Sequence, residues 1–160
     1  MDHSGADANT PSVLARLIAG VGRTVAWLTL TMVLATVVIV TLRYGFDAGR
    51  VWLQESVTWQ HAAVFLLAAG WTLQCDGHVR VDIFYRTAGP RRKAWVNVAG
   101  NLLFLVPFCL FLAIVSWEYV AASWSLGEGS REAGGLPALY LLKSLLIAMP
   151  VLLLLQAFED

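Results

Sequence analysis

Four long apolar stretches constrain the fold of this chain more than any other feature of its sequence. They cover about residues 20–42, 56–75, 94–117 and 136–158. Each is close to the roughly 20 apolar residues with which a helix crosses a hydrocarbon core of about 30 Å. None shows the alternation of apolar and polar residues that is typical of a transmembrane barrel strand. Because a backbone in lipid must satisfy its own hydrogen bonds, we expect an all-α integral membrane protein with four transmembrane helices.

Composition supports a single membrane domain over residues 1–160, with a polar tail at residues 1–11. Hydrophobic residues make up 58% of the chain and charged residues only 14%, whereas a soluble domain has about 25% charged residues. Lys and Arg number 11, as do Asp and Glu, so no net charge attracts the chain to nucleic acid. We therefore expect a membrane protein without a nucleic-acid partner.

The distribution of basic residues predicts how the chain is oriented. The segment between the second and third helices carries Arg80, Arg86, Arg91, Arg92 and Lys93. By the positive-inside rule, this segment and both termini are expected in the cytoplasm, although Arg43 and Arg50 in the first loop count against that orientation. Polar and apolar residues alternate around Arg80, and this stretch predicts a short interfacial segment in contact with membrane lipids.

Few polar side chains interrupt the predicted membrane helices. They are Gln60, His61, Asn97, Asn101, Lys143 and Gln156. Asn97 and Asn101 are four residues apart and share one helix face, from which they can bond a neighbouring helix. Lys143 is predicted to reach the outer interface or to pair with a carboxylate such as Glu55, and contact with a partner or a substrate is the alternative. Arg43 and Glu55 end and begin antiparallel neighbours, so they could also pair.

The sequence contains no apparatus for catalysis. It lacks Cys and His at metal-site spacing, a glycine-rich phosphate loop, a nucleophile elbow and paired carboxylates within a helix. We therefore expect no enzymatic activity and no cofactor. One alternative is a haem-binding or respiratory-complex membrane anchor that uses His61, but the second imidazole it needs is absent from the other helices. Another is a stand-alone exporter, which a helix interior without carboxylates disfavours.

Short motifs in a fixed order, over about residues 40–157, resemble the small membrane subunit of tripartite ATP-independent periplasmic (TRAP) transporters, the DctQ-like family. The motifs are Arg43-Tyr44-Gly45-Phe46, similar to the family's Arg-Tyr-x-Phe; Trp52-Leu53-Gln54-Glu55, similar to its Trp-x-x-Glu; His78-Val79-Arg80-Val81-Asp82, similar to its His-x-x-Val-Asp; and Gly134-Gly135-Leu136-Pro137 with Lys143 and Gln156 around the fourth helix. The chain departs from the family where Val151, and not glycine, follows Pro150.

The resemblance implies a function that the residues alone do not. It implies a non-catalytic subunit of a sodium-coupled importer of organic acids or similar solutes in the bacterial inner membrane. The expected partners are a large permease subunit of about a dozen helices, which holds the transport site, and a periplasmic substrate-binding protein. The resemblance makes seven residues candidates for structural or partner contacts: Arg43, Tyr44, Glu55, His78, Arg80, Asp82 and Lys143.

Overall fold

The computed structural model describes residues 12–78, 85 and 89–159, and every regular element in that part of the chain is helical. The elements are α1 (Val13–Gly45), α2 (Val51–Leu67), α3 (Ala69–Gln74), α4 (Pro90–Gly100), a π-helical segment (Asn101–Leu105), α5 (Val106–Leu126) and α6 (Leu139–Ala157). The predicted all-α class is therefore confirmed. Residues 79–84 and 86–88, on which most of the predicted interfacial segment falls, lie outside the described residues.

Within the described residues, three helical stretches are long and apolar enough to cross a membrane. They are Val13–Gly45, Pro90–Leu126 and Leu139–Ala157. The stretch predicted over residues 56–75 is not among them, because its helix is interrupted at Ala68. Val13–Gly45 and Pro90–Leu126 extend beyond the predicted ranges 20–42 and 94–117, because helical backbone continues into the less apolar flanks. Ser12 accepts a hydrogen bond from the Ala15 N–H at the start of α1 (3.0 Å), and Pro90 begins α4.

The three stretches differ in length. At 1.5 Å per residue, the 33 residues of α1 extend about 50 Å and the 37 residues from Pro90 to Leu126 about 55 Å. The 19 residues of α6 extend about 28 Å, close to the thickness of a hydrocarbon core. Only α6 therefore matches a bilayer without tilting or projecting from it.

Helix α6 is the centre of the bundle. It packs against α1, α2, α3 and α5, while α1 also packs along α2 and α3. Helix α4 is different: among the described residues it contacts only the π-helical segment that continues it. The amino-terminal third of the Pro90–Leu126 helix therefore stands apart from the bundle.

Two glycines allow the helices to approach closely. A Cβ atom added at Gly22 would lie 2.5 Å from Trp71 Cγ, and one added at Gly70 would lie 3.2 Å from Leu152 Cβ. The distance from α1 to α3, and from α3 to α6, therefore depends on the absence of a side chain at these positions. Small residues at helix contacts are the usual means of close packing in membranes.

Two helices depart from α-helical geometry at one place each. At Ala68, between α2 and α3, the helix is interrupted, and the Thr72 N–H donates to Ala68 O at 2.8 Å where it resumes. Ahead of Pro107, the Val106 N–H donates to Asn101 O, five residues back. This π-helical turn changes the register just before a residue that has no N–H to donate.

Hydrogen bonds define two ends of the bundle. At one, which we call the termini end, Ser12 Oγ donates to Glu159 Oε2, and Gln74 Nε2 donates to Ala15 O at 3.0 Å. At the other, which we call the loop end, Glu55 at the start of α2 meets the α5–α6 loop, residues 127–138. Among the described residues, the helical stretches between these ends are α1, α2 with α3, α4 with α5, and α6.

Candidate functional site

The α5–α6 loop begins with a glycine in a left-handed conformation. Gly127 has φ +55°, which ends α5 and allows its N–H to donate to Trp124 O at 3.2 Å. The next N–H, that of Glu128, donates back to Ser123 O at 3.1 Å. These two bonds form a Schellman motif, in which glycine is the favoured left-handed residue. The motif fixes the backbone from which the Glu128 side chain extends.

One carboxylate ties α2 to the loop. Ser130 Oγ donates to Glu55 Oε1, and the Leu136 N–H donates to Glu55 Oε2 at 2.6 Å. The two loop residues are also bonded to each other, because the Ser130 N–H donates to Leu136 O at 3.0 Å. Bonds from donors to an ionised carboxylate are among the stronger protein hydrogen bonds. Glu55 therefore holds both arms of the loop against the first turns of α2.

The loop closes over Glu55 because position 135 has no side chain. A Cβ atom at Gly135 would lie 2.5 Å from Ser130 Cβ and 2.8 Å from Glu55 Oε2. Any other residue would therefore displace the carboxylate or open the loop.

A second charged group lies beside the first. Lys143 Nζ, one turn into α6, forms an ion pair with Glu128 Oε2 and lies 3.9 Å from the centre of the Tyr119 ring. Both charged side chains are largely shielded, with 11% of Lys143 and 21% of Glu128 accessible. The Lys143 ammonium group lowers the pKa of the Glu128 carboxyl below its ordinary value. The partner of Lys143 is thus Glu128, and the pairing with Glu55 considered from sequence is wrong because Ser130 and Leu136 already occupy that carboxylate.

Aromatic side chains join α5 to α6 beside this ion pair. Trp124 Nε1 donates to Ser144 Oγ at 2.9 Å, and its ring lies 4.5 Å from that of Tyr140 at an angle of 53°. Tilted aromatic pairs at this distance add to the stability of a contact. Three sets of contacts therefore hold the loop end together. The Glu55 carboxylate joins α2 to the loop, the Lys143–Glu128 ion pair joins α6 to the loop, and Trp124 joins α5 to α6.

The other candidate residues lie away from this cluster. Arg43 and Tyr44 end α1, where Tyr44 is 81% exposed, and the structure records no ion pair between Arg43 and Glu55. His78 is exposed near the end of α3, at the opposite end of the bundle. Arg80 and Asp82 lie outside the described residues. Of the five candidates that the structure describes, only Glu55 and Lys143 contribute to the cluster at the loop end.

Some polar residues within the helices form hydrogen bonds between helices, and others are exposed on helix surfaces. Gln60 accepts a hydrogen bond from Thr31 and so joins α2 to α1. His61, the candidate haem ligand, is exposed on α2 and stacks on Phe65 with ring centres 6.4 Å apart. Asn97 is exposed and Asn101 half-buried, both beside a cleft along α4.

Comparison with protein families identifies the chain. Residues 32–160 match the model of the DctQ family, described as the DctQ component of tripartite ATP-independent periplasmic transporters. The chain belongs to the DctQ family. The resemblance seen in its sequence motifs is therefore confirmed, and the protein is a membrane component of a TRAP transporter. Comparison with curated proteins and with solved structures gave no match.

The sequence did not indicate which side chains contact Glu55 and Lys143 in the folded chain. Glu128 and Ser130 lie in a loop whose course depends on the left-handed Gly127, and Tyr119 lies two turns earlier on α5. A glycine followed at once by an acidic residue at the end of an apolar helix could have suggested the Schellman turn. No pattern in the sequence indicated which carboxylate Lys143 would reach.

Proposed function

We propose that this chain is the small permease subunit of a sodium-coupled TRAP importer of organic acids or similar solutes. It scaffolds the large transport subunit in the bacterial inner membrane and helps to form the face on which the periplasmic substrate-binding protein docks. The observation that carries this proposal is the loop end, where the charged groups Glu55, Glu128 and Lys143 bond within the chain. Charges used in this way hold a surface in shape and are not available to a transported solute.

The membrane arrangement in this proposal has four spans. Helices α2 and α3 together cover residues 51–74, about 36 Å at 1.5 Å per residue, which is enough to cross a hydrocarbon core despite the break at Ala68. The termini end then lies in the cytoplasm with Arg16 and Arg23, and the loop end in the periplasm.

The scaffold has a large apolar surface for lipid and for a partner. Trp27 on α1 is 71% exposed, and Phe104 and Ile114 on the Pro90–Leu126 helix are 75% and 71% exposed. Exposure of this kind along whole helices is what a bundle has when its outer faces meet lipid or other transmembrane helices.

The exposed tip of the loop is the part available to a soluble partner. Arg131 and Glu132 are both exposed there, while the residues on either side of them hold the loop to Glu55. A rigid loop with charged residues at its tip suits a transient encounter, in which charges guide association more than they add affinity. We assign the docking contact to this tip.

Co-purification tests the scaffold proposal. The chain is tagged in its own host, extracted in mild detergent, and its partners are identified by mass spectrometry. We expect one much larger polytopic membrane protein in roughly equal amount. Recovery with a respiratory flavoprotein or with haem would contradict the proposal and would make His61 the residue to test.

A pair of variants tests the docking face separately. Arg131→Ala combined with Glu132→Ala should weaken association of the binding protein and lower uptake in proteoliposomes, while the large subunit still co-purifies. The matched control is Arg16→Ala, an exposed basic residue at the termini end, which should leave both unchanged. Wild-type binding-protein affinity in the double variant would contradict the assigned contact.

A further inference from the structure

A cleft of about 520 Å³ separates α4 from the rest of the bundle. One wall carries Asn97 on α4 and Asn101 at the start of the π-helical segment, and the opposite wall carries Leu73, at the end of α3, and Leu153 on α6. The cleft exists because α4 packs against no other helix among the described residues. Neither amide has a hydrogen bond to another side chain in that part of the chain.

The chemistry of the cleft changes in steps along the helix. Lys93, Asn97 and Asn101 are spaced by four residues, so they share one face of α4 at intervals of about 6 Å. Beyond Asn101 the lining is apolar and includes Leu105 and Phe108. A cation beside Tyr85, two amides and an apolar wall therefore follow one another along this helix.

The first turn of α4, which we call the mouth of the cleft, is basic, and it precedes the residues that line the cleft itself. Arg91, Arg92 and Lys93 follow one another in the first turn of α4, which contains no acidic residue. Lys93 Nζ lies 5.2 Å from the centre of the Tyr85 ring, and Tyr85 lines the cleft. An occupant of complementary charge must therefore be anionic where it meets the mouth.

We propose that this cleft binds one anionic glycerophospholipid of the bilayer. The phosphate lies at the basic mouth beside Lys93, the ester carbonyls accept hydrogen bonds from Asn97 and Asn101, and an acyl chain covers Phe108 and its apolar neighbours. A phospholipid has these three parts in this order. Free phosphate would leave the apolar wall uncovered, and a zwitterionic lipid would carry a second charge of the wrong sign to a mouth that attracts anions.

The proposal concerns this chain alone and does not depend on its function in transport. Native mass spectrometry tests it with the full-length protein, purified in mild detergent with the subunits it retains and then delipidated. Phosphatidylglycerol and phosphatidylcholine with identical acyl chains are titrated separately, and inorganic phosphate is titrated as a third probe. We expect phosphatidylglycerol to bind at least fivefold more tightly than phosphatidylcholine.

Two variants report on the two polar levels of the cleft. Lys93→Gln should lower the affinity for phosphatidylglycerol about fivefold, the effect of one basic residue near a membrane surface. Asn97→Leu combined with Asn101→Leu should weaken binding of both lipids several-fold, because their esters lose the same donors. The matched controls are Arg23→Gln on α1 and Gln54→Leu on α2, which remove an exposed charge and an exposed amide elsewhere and should change affinity less than twofold.

Several results would overturn the proposal. One is equal affinity for phosphatidylglycerol and phosphatidylcholine. Another is an equal loss of phosphatidylglycerol affinity in Lys93→Gln and Arg23→Gln. A third is binding of inorganic phosphate that is as tight as binding of phosphatidylglycerol. Cross-linking of the Asn101→Cys variant through its new thiol to a transmembrane helix of a partner subunit, with no lipid retained, would assign the cleft to that helix instead.

Discussion

Lys143 on α6 forms its ion pair with Glu128, fifteen residues earlier in the chain, and thereby connects the two helices that the loop joins. The geometry depends on Gly127, because its left-handed turn places Glu128 at the start of the loop. The ion pair holds the first arm of this loop at Glu128, and the Glu55 carboxylate bonds both arms. Together they make the loop end the part of the fold in which individual residues matter most.

Replacement of Lys143 should impair assembly more than substrate recognition. Lys143→Met leaves the shielded Glu128 carboxylate without its partner, so we expect less complex to be recovered with the large subunit and proportionally less uptake. Lys143→Met combined with Glu128→Gln should recover more complex than Lys143→Met alone, because no unpaired charge remains. Normal yield with an altered apparent affinity for sodium or solute would instead give Lys143 a part in transport.

Acid should destabilise the loop end through Glu128. Its pKa is lowered in the folded protein, so the stabilisation is complete above the ordinary carboxyl pKa of 4.5. It is lost as the pH falls from that value through the lowered one. Thermal unfolding of the detergent-solubilised protein should therefore show a steeper loss of stability below about pH 4.5 in the wild type than in Glu128→Gln. Glu118→Gln, at an exposed position on α5, is the control and should follow the wild type.

A methyl group at position 135 should open the loop. Gly135→Ala brings a Cβ atom within 2.8 Å of Glu55 Oε2, so either the carboxylate or the loop must move. We expect the free energy of unfolding to fall by about 1–3 kcal/mol, the usual effect of overpacking. The control is Gly129→Ala in the same loop, whose added Cβ would meet Pro137 Cα at an ordinary 3.7 Å. Equal melting temperatures for the two variants would contradict the described loop geometry.

The contact between α1 and α3 can be tested in the same way. Gly22→Ala forces a Cβ atom to within 2.5 Å of Trp71 Cγ, and we expect a loss of about 1–3 kcal/mol in the free energy of unfolding. Gly20→Ala, two residues away, meets no atom within 4 Å and should be neutral or slightly stabilising, since alanine is the better helix former. Thermal melts in one detergent compare the two variants directly. A smaller effect at Gly22 than at Gly20 would exclude the close approach.

The helices of this chain could largely be predicted from its sequence, because apolar runs of membrane length have few other uses. Some of their limits could not, since the third predicted helix continues to Leu126, nine residues past its predicted end at 117. The interruption at Ala68 also escaped prediction. It lies inside a continuous apolar run, and hydropathy does not register a local change of backbone geometry.

The candidate site was predictable only in part, for a related reason. Glu55 and Lys143 stand out as charges at the edges of apolar segments, and the structure places both in the cluster. Their partners Ser130 and Glu128 do not stand out, because their positions depend on how a loop between two helices turns. Positive φ angles at Gly127, Gly134 and Ala138 direct that course, and it determines which charges meet.

The unequal helix lengths have a consequence for the bilayer itself. A membrane whose thickness fits the 19 residues of α6 leaves about 20–27 Å of excess length in α1 and in the Pro90–Leu126 helix. That excess must be taken up by inclination of these helices or by overhang into the water on either side, at a cost that rises with each ångström of mismatch. Thicker bilayers relieve it. The lipid tail length in which this protein is reconstituted should therefore set the angle between its long helices and α6.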